Sequence, residues 1–97
     1  MTYAFHPDAR LEYLAAIEFY EQRRMVLGAT FSIEVETAIG RILESPARRP
    51  VIERGVRRCL THAFPYGILY TIDQDVVLIL AVMHCARKPG YWKSHMP

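Results

Sequence analysis

The sequence predicts an α+β fold in which an N-terminal strand and a two-helix hairpin pack on a small, mainly antiparallel sheet of three to five strands. In the first half of the chain, apolar residues recur at three- and four-residue steps, which is the spacing of a helix face. After a loop that contains Pro50 and Gly55, short apolar runs alternate with turn residues, which is typical of strands. A length of 97 residues predicts one domain over residues 1–97.

The N-terminal half is predicted to form a strand over residues 2–5 and then the helical hairpin. Pro7 suits the first turn of a helix, where its missing N–H has no intrahelical partner, so the first helix should run from Pro7 to about residue 25. Gly28 is expected to end this helix as a C-terminal cap. A second helix is predicted from about residue 30 to residue 44. Its apolar face is formed by Phe31, Val35, Ala38, Ile39 and Ile42.

The C-terminal half is predicted to supply the sheet. Residues 58–64, 68–72 and 76–83 are expected to form strands, and Val51-Ile52 is expected to pair briefly. Residues 73–75 are short enough to join the last two strands as an antiparallel hairpin. The last strand is apolar on both faces, so it should be central, or covered by helices on one side and by loops or a partner on the other.

Charge is distributed unevenly along the chain. Through Glu44 there are four arginines and seven carboxylates, a net charge of −3, whereas from Ser45 onward eight basic residues oppose three acidic ones, a net of +5. This asymmetry favours one face suited to an anionic target. Neither a signal peptide nor a long enough apolar stretch is visible, so we expect a cytoplasmic protein without a membrane partner. Cys59 and Cys85 form no CxxC pair and are expected as reduced thiols.

Cations and aromatic residues follow the last predicted strand. Arg87, Lys88, Tyr91 and Trp92 come directly after the apolar run of residues 76–83, where the chain leaves the core. Surface aromatics beside guanidinium groups commonly bind a protein or a nucleic acid. The sequence therefore predicts a surface contact segment here.

Few kinds of chemistry fit this sequence. The four histidines have no metal-ligand spacing, and we expect neither a metal nor a cofactor. No Ser/His/Asp order and no glycine-rich phosphate loop is visible. If the chain is an enzyme, a metal-free endoribonuclease is the compatible class, because cations can stabilise the charged phosphorane while the RNA 2′-OH acts as nucleophile.

Over nearly its whole length the chain resembles the RelE/ParE superfamily of bacterial type II toxins, often called plasmid stabilisation proteins. The order and spacing of several short motifs carry this resemblance. They are Phe5-x-Pro7, Ala16-x-x-Phe19-Tyr20-Glu21, Gly28-x-x-Phe31-x-x-Glu34-Val35, Pro46, Arg57-Arg58-x-Leu60-x-x-x-Phe64-Pro65-Tyr66-x-Ile68-x-Tyr70 and Leu80-Ala81-Val82-x-His84-x-x-Arg87-x-Pro89-x-Tyr91-Trp92.

The resemblance implies the toxin fold predicted above and the toxin of a toxin–antitoxin pair. A cognate antitoxin with a DNA-binding N-terminal region would wrap the toxin with its C-terminal segment and neutralise it. On the helical hairpin, Tyr13, Phe19, Tyr20 and Met25 are the expected antitoxin contacts. Homodimerisation through the hairpin or the sheet edge is left open.

Two branches of the superfamily act differently. The RelE-like branch cuts messenger RNA in the ribosomal A site, and on this resemblance its residues here would be Arg58, Arg87 and Tyr91. The ParE-like branch is described as inhibiting DNA gyrase without nuclease activity. This chain departs from the nuclease pattern at two positions, because Leu60 and Gly67 stand where further cations would be expected. Removing such charge-stabilising donors should be severe, at about 3–4 kcal/mol for one.

The sequence thus favours a ParE-like toxin that arrests growth by binding a target, most simply DNA gyrase. On this interpretation the target-binding residues are Arg58, Arg87, Lys88, Tyr91 and Trp92. A RelE-type, ribosome-dependent endoribonuclease acting on mRNA is the alternative. A degenerate, non-toxic relative that still binds an antitoxin is the third hypothesis.

Overall fold

Two helices and five strands make up the architecture in a computed structural model that describes residues 1–96. Pro97, which the predicted domain includes, lies outside the described residues. The elements are β1 (Thr2–Phe5), α1 (Pro7–Arg23), α2 (Met25–Glu44), β2 (Val51–Glu53), β3 (Val56–Leu60), β4 (Tyr66–Asp73), β5 (Val76–His84) and a C-terminal 3-10 helix (Tyr91–His95).

The strands form one mixed sheet in the order β1-β5-β4-β3-β2. β1 pairs in parallel with the first half of β5, and the other neighbouring strands are antiparallel. β5 pairs with β1 along its first half and with β4 along its length, and it carries apolar residues on both faces, so it is an inner strand of the sheet, as the sequence predicted. The predicted α+β class is confirmed.

The two helices meet at Arg24, so the predicted break at Gly28 is wrong. Arg24 has extended backbone (φ −155°, ψ 130°) between α1 and α2. Gly28 lies buried inside α2, which begins five residues before the predicted start. A Cβ at Gly28 would collide with Glu21 Cγ and lie 3.1 Å from the Ile17 carbonyl oxygen. Gly28 therefore allows close approach of the two helices, and its role is not that of a cap.

The strand boundaries differ modestly from those predicted. β3 ends at Leu60 and not at residue 64, because the Thr61 hydroxyl turns the chain by donating to the Phe64 carbonyl oxygen (2.7 Å). β4 begins two residues early at Tyr66. The brief pairing expected at Val51-Ile52 occurs as β2.

The larger core lies between the helices and the sheet. The aromatic rings of Phe31, Tyr66 and Phe64 pack edge to face within it. The ring centroid of Phe31 lies 4.8 Å from that of Tyr66 and 5.2 Å from that of Phe64. Edge-to-face packing places the positive edge of one ring on the negative face of the other. These contacts join α2 to the strand β4 and to the loop that precedes it.

The opposite face of the sheet carries a smaller core, and Trp92 belongs to it. The indole is only 3% exposed and packs with Val56, Leu69, Leu80 and Ala81. The predicted surface placement of Trp92 is therefore wrong. The strand residues on this face are apolar and need cover, and the chain turns back over them through Gly90, whose φ of 77° is the left-handed conformation that favours glycine.

β5 changes register at Leu80, opposite the Leu69–Tyr70 step of β4. β1 ends at this point, and its last backbone contact is the His6 N–H, which donates to the Ile79 carbonyl oxygen (2.8 Å). Beyond it, side chains take over the exposed edge. His95 Nδ1 lies 2.8 Å from the Leu80 carbonyl oxygen, and the Val82 N–H donates to Glu12 Oε1 (3.1 Å). Side chains from α1 and the 3-10 helix thus protect the edge that β1 leaves open.

Glu34 on α2 holds the loop between β3 and β4. Its Oε1 accepts hydrogen bonds from the backbone N–H groups of His62 (2.9 Å) and Ala63 (2.8 Å). The hydrogen bond from Ala63 is the main cause that lowers the pKa of Glu34 below its usual value. The carboxylate form is the one that the folded state stabilises.

We expect Glu34→Gln to make the protein less stable at neutral pH, because glutamine keeps an acceptor but loses the charge. A lowered folded-state pKa adds stability that is present above the unfolded pKa, about 4.3, and is lost as pH falls through the folded value. The difference in melting temperature between wild type and variant should therefore shrink in acid. Glu18→Gln, an exposed carboxylate on α1, is the control. A pH-independent difference would contradict the assignment.

Candidate functional site

Arg87 and Tyr91 form the centre of the candidate site. Arg87 is exposed in the loop after β5, and its guanidinium carbon lies 4.0 Å from the centroid of the Tyr91 ring. Cation–π contacts of this kind are worth about 0.5–1 kcal/mol at exposed sites, which is enough to bias the orientation of the side chain. Arg87 is thereby held outward over an aromatic support.

Glu12 holds the Tyr91 ring in place beneath Arg87. The Tyr91 hydroxyl donates to Glu12 Oε2 at 2.6 Å, while Glu12 Oε1 accepts from the Val82 N–H. One carboxylate on α1 thus links β5 and the 3-10 helix. Burial, together with the hydrogen bond to Glu12 and the charge of that carboxylate, raises the pKa of Tyr91 far above its ordinary value. The phenol therefore stays protonated throughout the physiological pH range.

The structure brings Arg58 and Arg87 to one pocket on the sheet face opposite the helices. This pocket has a volume of about 250 Å³ and is also lined by Cys85 and Pro89, with Trp92 in its wall. Lys88 is exposed beside Arg87 but does not line the pocket. Of the five predicted target-binding residues, four thus lie on or near the surface of one region. Trp92 supports that region from within.

Leu60 and Gly67 occupy the places beside Arg58 where a nuclease would be expected to carry cations. The two residues are register partners across β3 and β4. The stem of Arg58 lies across Gly67, since a Cβ there would be 3.3 Å from both Cγ and Cδ of Arg58 and 3.5 Å from Leu60 Cδ2. The space above Gly67 is therefore filled by the methylene groups of Arg58 and by the side chain of Leu60.

A second pocket, of about 310 Å³, lies between α1 and β5. Glu12 and Phe19 line it on the helix side, and Tyr66 and His84 on the sheet side. Arg87 also lines it, so this side chain stands on the ridge between the two pockets. Anything that fills the second pocket contacts Arg87 or lies beside it.

The four predicted antitoxin contacts fall into two groups. Phe19 is 47% exposed and Met25 84% exposed, so both can meet a partner. Tyr20 packs against Phe64 (4.9 Å between ring centroids), and Tyr13 stacks on Phe5 (5.6 Å) at the margin of the core. The sequence pattern missed further exposed apolar side chains on the hairpin. They are Leu11, Leu14, Val26 and Ile33.

Glu12 is the site residue that sequence reasoning missed. Its position one helical turn from Ala9 and Ala16, which are both buried, was a usable signal, because an acid next to the buried stripe of a helix needs polar partners.

Among residues 1–96, neither helix has the combination of length and apolar composition that crossing a bilayer requires.

A helical hairpin on one face of a five-stranded sheet, with a C-terminal segment on the other face, defines a small α+β domain. The fold is similar to that of a chain from the chromosomal ParDE toxin–antitoxin system of P. aeruginosa, with a TM-score of 0.61 and 18% sequence identity. The similarity covers 87% of this chain and 95% of that one. A comparison with curated proteins found no match.

Residues 3–89 match the family model described as the ParE toxin of the type II toxin–antitoxin system parDE. The chain belongs to this family. The predicted membership of the RelE/ParE superfamily is confirmed, on the ParE side.

Proposed function

We propose that this ParE-family protein arrests growth in the cytoplasm by binding DNA gyrase, and that a cognate antitoxin neutralises it. The observation that carries the proposal is the stacked pair of Arg87 and Tyr91, exposed at the ridge between two pockets. Binding energy concentrates in arginine and aromatic residues that are held in place before the partner arrives. Here the Glu12–Tyr91 hydrogen bond provides that preorganisation.

The basic neighbours widen the contact surface. Arg58 projects from β3 into the pocket that it shares with Arg87, and Lys88 extends the same positive region. Positive charge gathered on one face accelerates association with an acidic partner surface and favours one orientation of docking. We assign target contact to Arg58, Arg87, Lys88 and Tyr91, and a supporting role to Trp92.

One observation favours an endoribonuclease as the second candidate. Two guanidinium groups, those of Arg58 and Arg87, line a single pocket, and such a pair could bind a phosphate of mRNA. Two other observations weigh against it. Leu60 and Gly67 hold no further cation, and the raised pKa of Tyr91 makes that phenol a poor partner for proton transfer near neutral pH.

Neutralisation follows if the antitoxin covers the ridge. The pocket between α1 and β5 is lined by Phe19 on one side and Arg87 on the other. A disordered antitoxin segment that folds onto the exposed apolar residues of α1 and enters this pocket would cover Arg87. The same contact would then bind the antitoxin and block the target.

The experiment that tests the function is induction of the chain in cells, with supercoiling and messenger RNA ends measured in parallel. We expect growth arrest with impaired supercoiling and intact messages, reproduced with purified gyrase. Codon-phased mRNA cleavage with unimpaired gyrase would favour the endoribonuclease. Unchanged growth, combined with tight binding of the antitoxin encoded beside it, would identify a non-toxic relative.

A further inference from the structure

Two histidines and an aspartate from opposite ends of the chain meet at the start of α1. His6 and Asp8 belong to the N-terminus of this helix, and His95 ends the 3-10 helix. One ligand atom from each of the three lies within 4.8 Å of the others. Asp8 Oδ2 lies 4.0 Å from His6 Nδ1 and 3.7 Å from His95 Nε2.

His95 is oriented as a ligand. Its side chain is nine-tenths buried, and Nδ1 lies 2.8 Å from the Leu80 carbonyl oxygen. Since a carbonyl oxygen only accepts, Nδ1 carries the proton, and the lone pair of the neutral ring is on Nε2, which faces Asp8. Within residues 1–96, no hydrogen bond engages Nε2. A backbone carbonyl that holds the other ring nitrogen is the usual outer contact of a metal-binding histidine.

His6 offers a lone pair in the same place. The Asp8 N–H donates to His6 Nδ1 at 3.0 Å, so this nitrogen is unprotonated in the neutral ring. The ring lies nearly parallel to that of His95, with centroids 5.3 Å apart. Ligands of a tetrahedral ion with bonds of about 2.0–2.1 Å are about 3.3 Å apart. The distances from Asp8 Oδ2 to the two ring nitrogens therefore need to close by about 0.7 and 0.4 Å, and the separation of the two histidine ligand atoms, which is within 4.8 Å, by at most about 1.5 Å, with the ion replacing the Asp8 N–H at Nδ1.

We propose that His6, Asp8 and His95 form a site for a divalent transition-metal ion of the Zn²⁺ class. Two imidazole nitrogens and one carboxylate suit such ions, whereas Ca²⁺ and Mg²⁺ prefer sites built from oxygen. Asp8 is half exposed, which leaves a route of entry and open coordination positions for water. The ion would clamp the start of α1 to the 3-10 helix. Because the Tyr91 ring packs on His95 (5.7 Å between centroids), the clamp would also stiffen the support of Arg87.

The test is a titration of the full chain, free of any histidine tag, with Zn²⁺ alone. Calorimetry measures the binding, and the melting temperature is measured at each Zn²⁺ concentration. We expect one saturable site and a melting temperature that rises with Zn²⁺ concentration. His95→Gln and His6→Gln should each weaken the affinity by at least about tenfold. His6 is partly exposed, so its variant stays informative if the His95 variant folds poorly.

His62→Gln and Cys85→Ser are the matched controls, since both residues are exposed and distant in sequence from the cluster. They should leave the affinity unchanged. Absence of saturable binding in the wild type would overturn the proposal. So would affinity that survives in both cluster variants, or that disappears in either control. None of these outcomes depends on the identity of the toxin's target.

Discussion

Arg87→Ala is expected to abolish growth arrest while the protein stays folded. Truncating a central arginine at an interface typically costs 2 kcal/mol or more, which corresponds to about thirtyfold in affinity. In purified assays, the concentration of toxin that half-inhibits gyrase supercoiling should rise by about that factor. The side chain is exposed and contacts the Tyr91 ring, so the free energy of unfolding should change by less than about 1 kcal/mol.

Two further variants sharpen this test. Arg87→Lys keeps the charge but loses the planar group that stacks on Tyr91, so we expect intermediate activity. Arg48→Ala removes another exposed loop arginine and serves as the control, with activity unchanged. Antitoxin binding should be largely retained in all three, because the exposed apolar residues of α1 onto which the antitoxin segment is proposed to fold are unchanged. The assignment of Arg87 fails if Arg87→Ala unfolds the protein, or if that variant arrests growth as the wild type does.

Trp92→Ala is expected to be the most destabilising substitution in the C-terminal segment. The indole is almost fully buried against the second face of the sheet, and large-to-small changes of this kind cost about 3–5 kcal/mol. That is a large part of the stability of a small domain. Urea unfolding should show a much lower midpoint, and both toxicity and antitoxin binding should fall together.

Trp92→Phe is the matched control, because it keeps an aromatic ring in the same core. We expect a smaller loss of stability and retained toxicity. If Trp92→Ala lost activity at unchanged stability, the residue would be a direct target contact, as its position in the sequence first indicated. A loss below about 1 kcal/mol would show that the second core is dispensable.

Periodicity in the sequence predicted most of the fold. The apolar run of β5 and its short connection to β4 are local signals, and so is the regular apolar face of α2, which ends at Glu44 as expected. The prediction that Gly28 ends the first helix was wrong because a glycine between two helical patterns is commonly a C-terminal cap. Its real role, the close approach of α1 and α2, depends on packing between segments that no local pattern contains.

The candidate site was predictable only in part. The sequence singled out Arg87 and Tyr91 because cations and aromatic residues cluster after a buried strand, and the structure places these two side chains in contact. Trp92 was placed on the surface for the same reason, since composition alone cannot tell which side of a returning segment faces the sheet. Glu12 and Tyr91 are 79 residues apart, and their hydrogen bond follows from the packing of α1 against β5. His6 and His95 likewise come together only through the fold.

The segment after β5 both covers a hydrophobic core and carries the residues proposed to bind the target. A genetic screen for colonies that survive induction would therefore collect two kinds of mutant from the same short stretch. Changes at Trp92 would remove the protein from the cell by exposing its core to proteases, whereas changes at Arg87 would leave an abundant but harmless product. Protein abundance, measured colony by colony, separates the two. Only the second kind of mutant identifies residues that are proposed to contact the target.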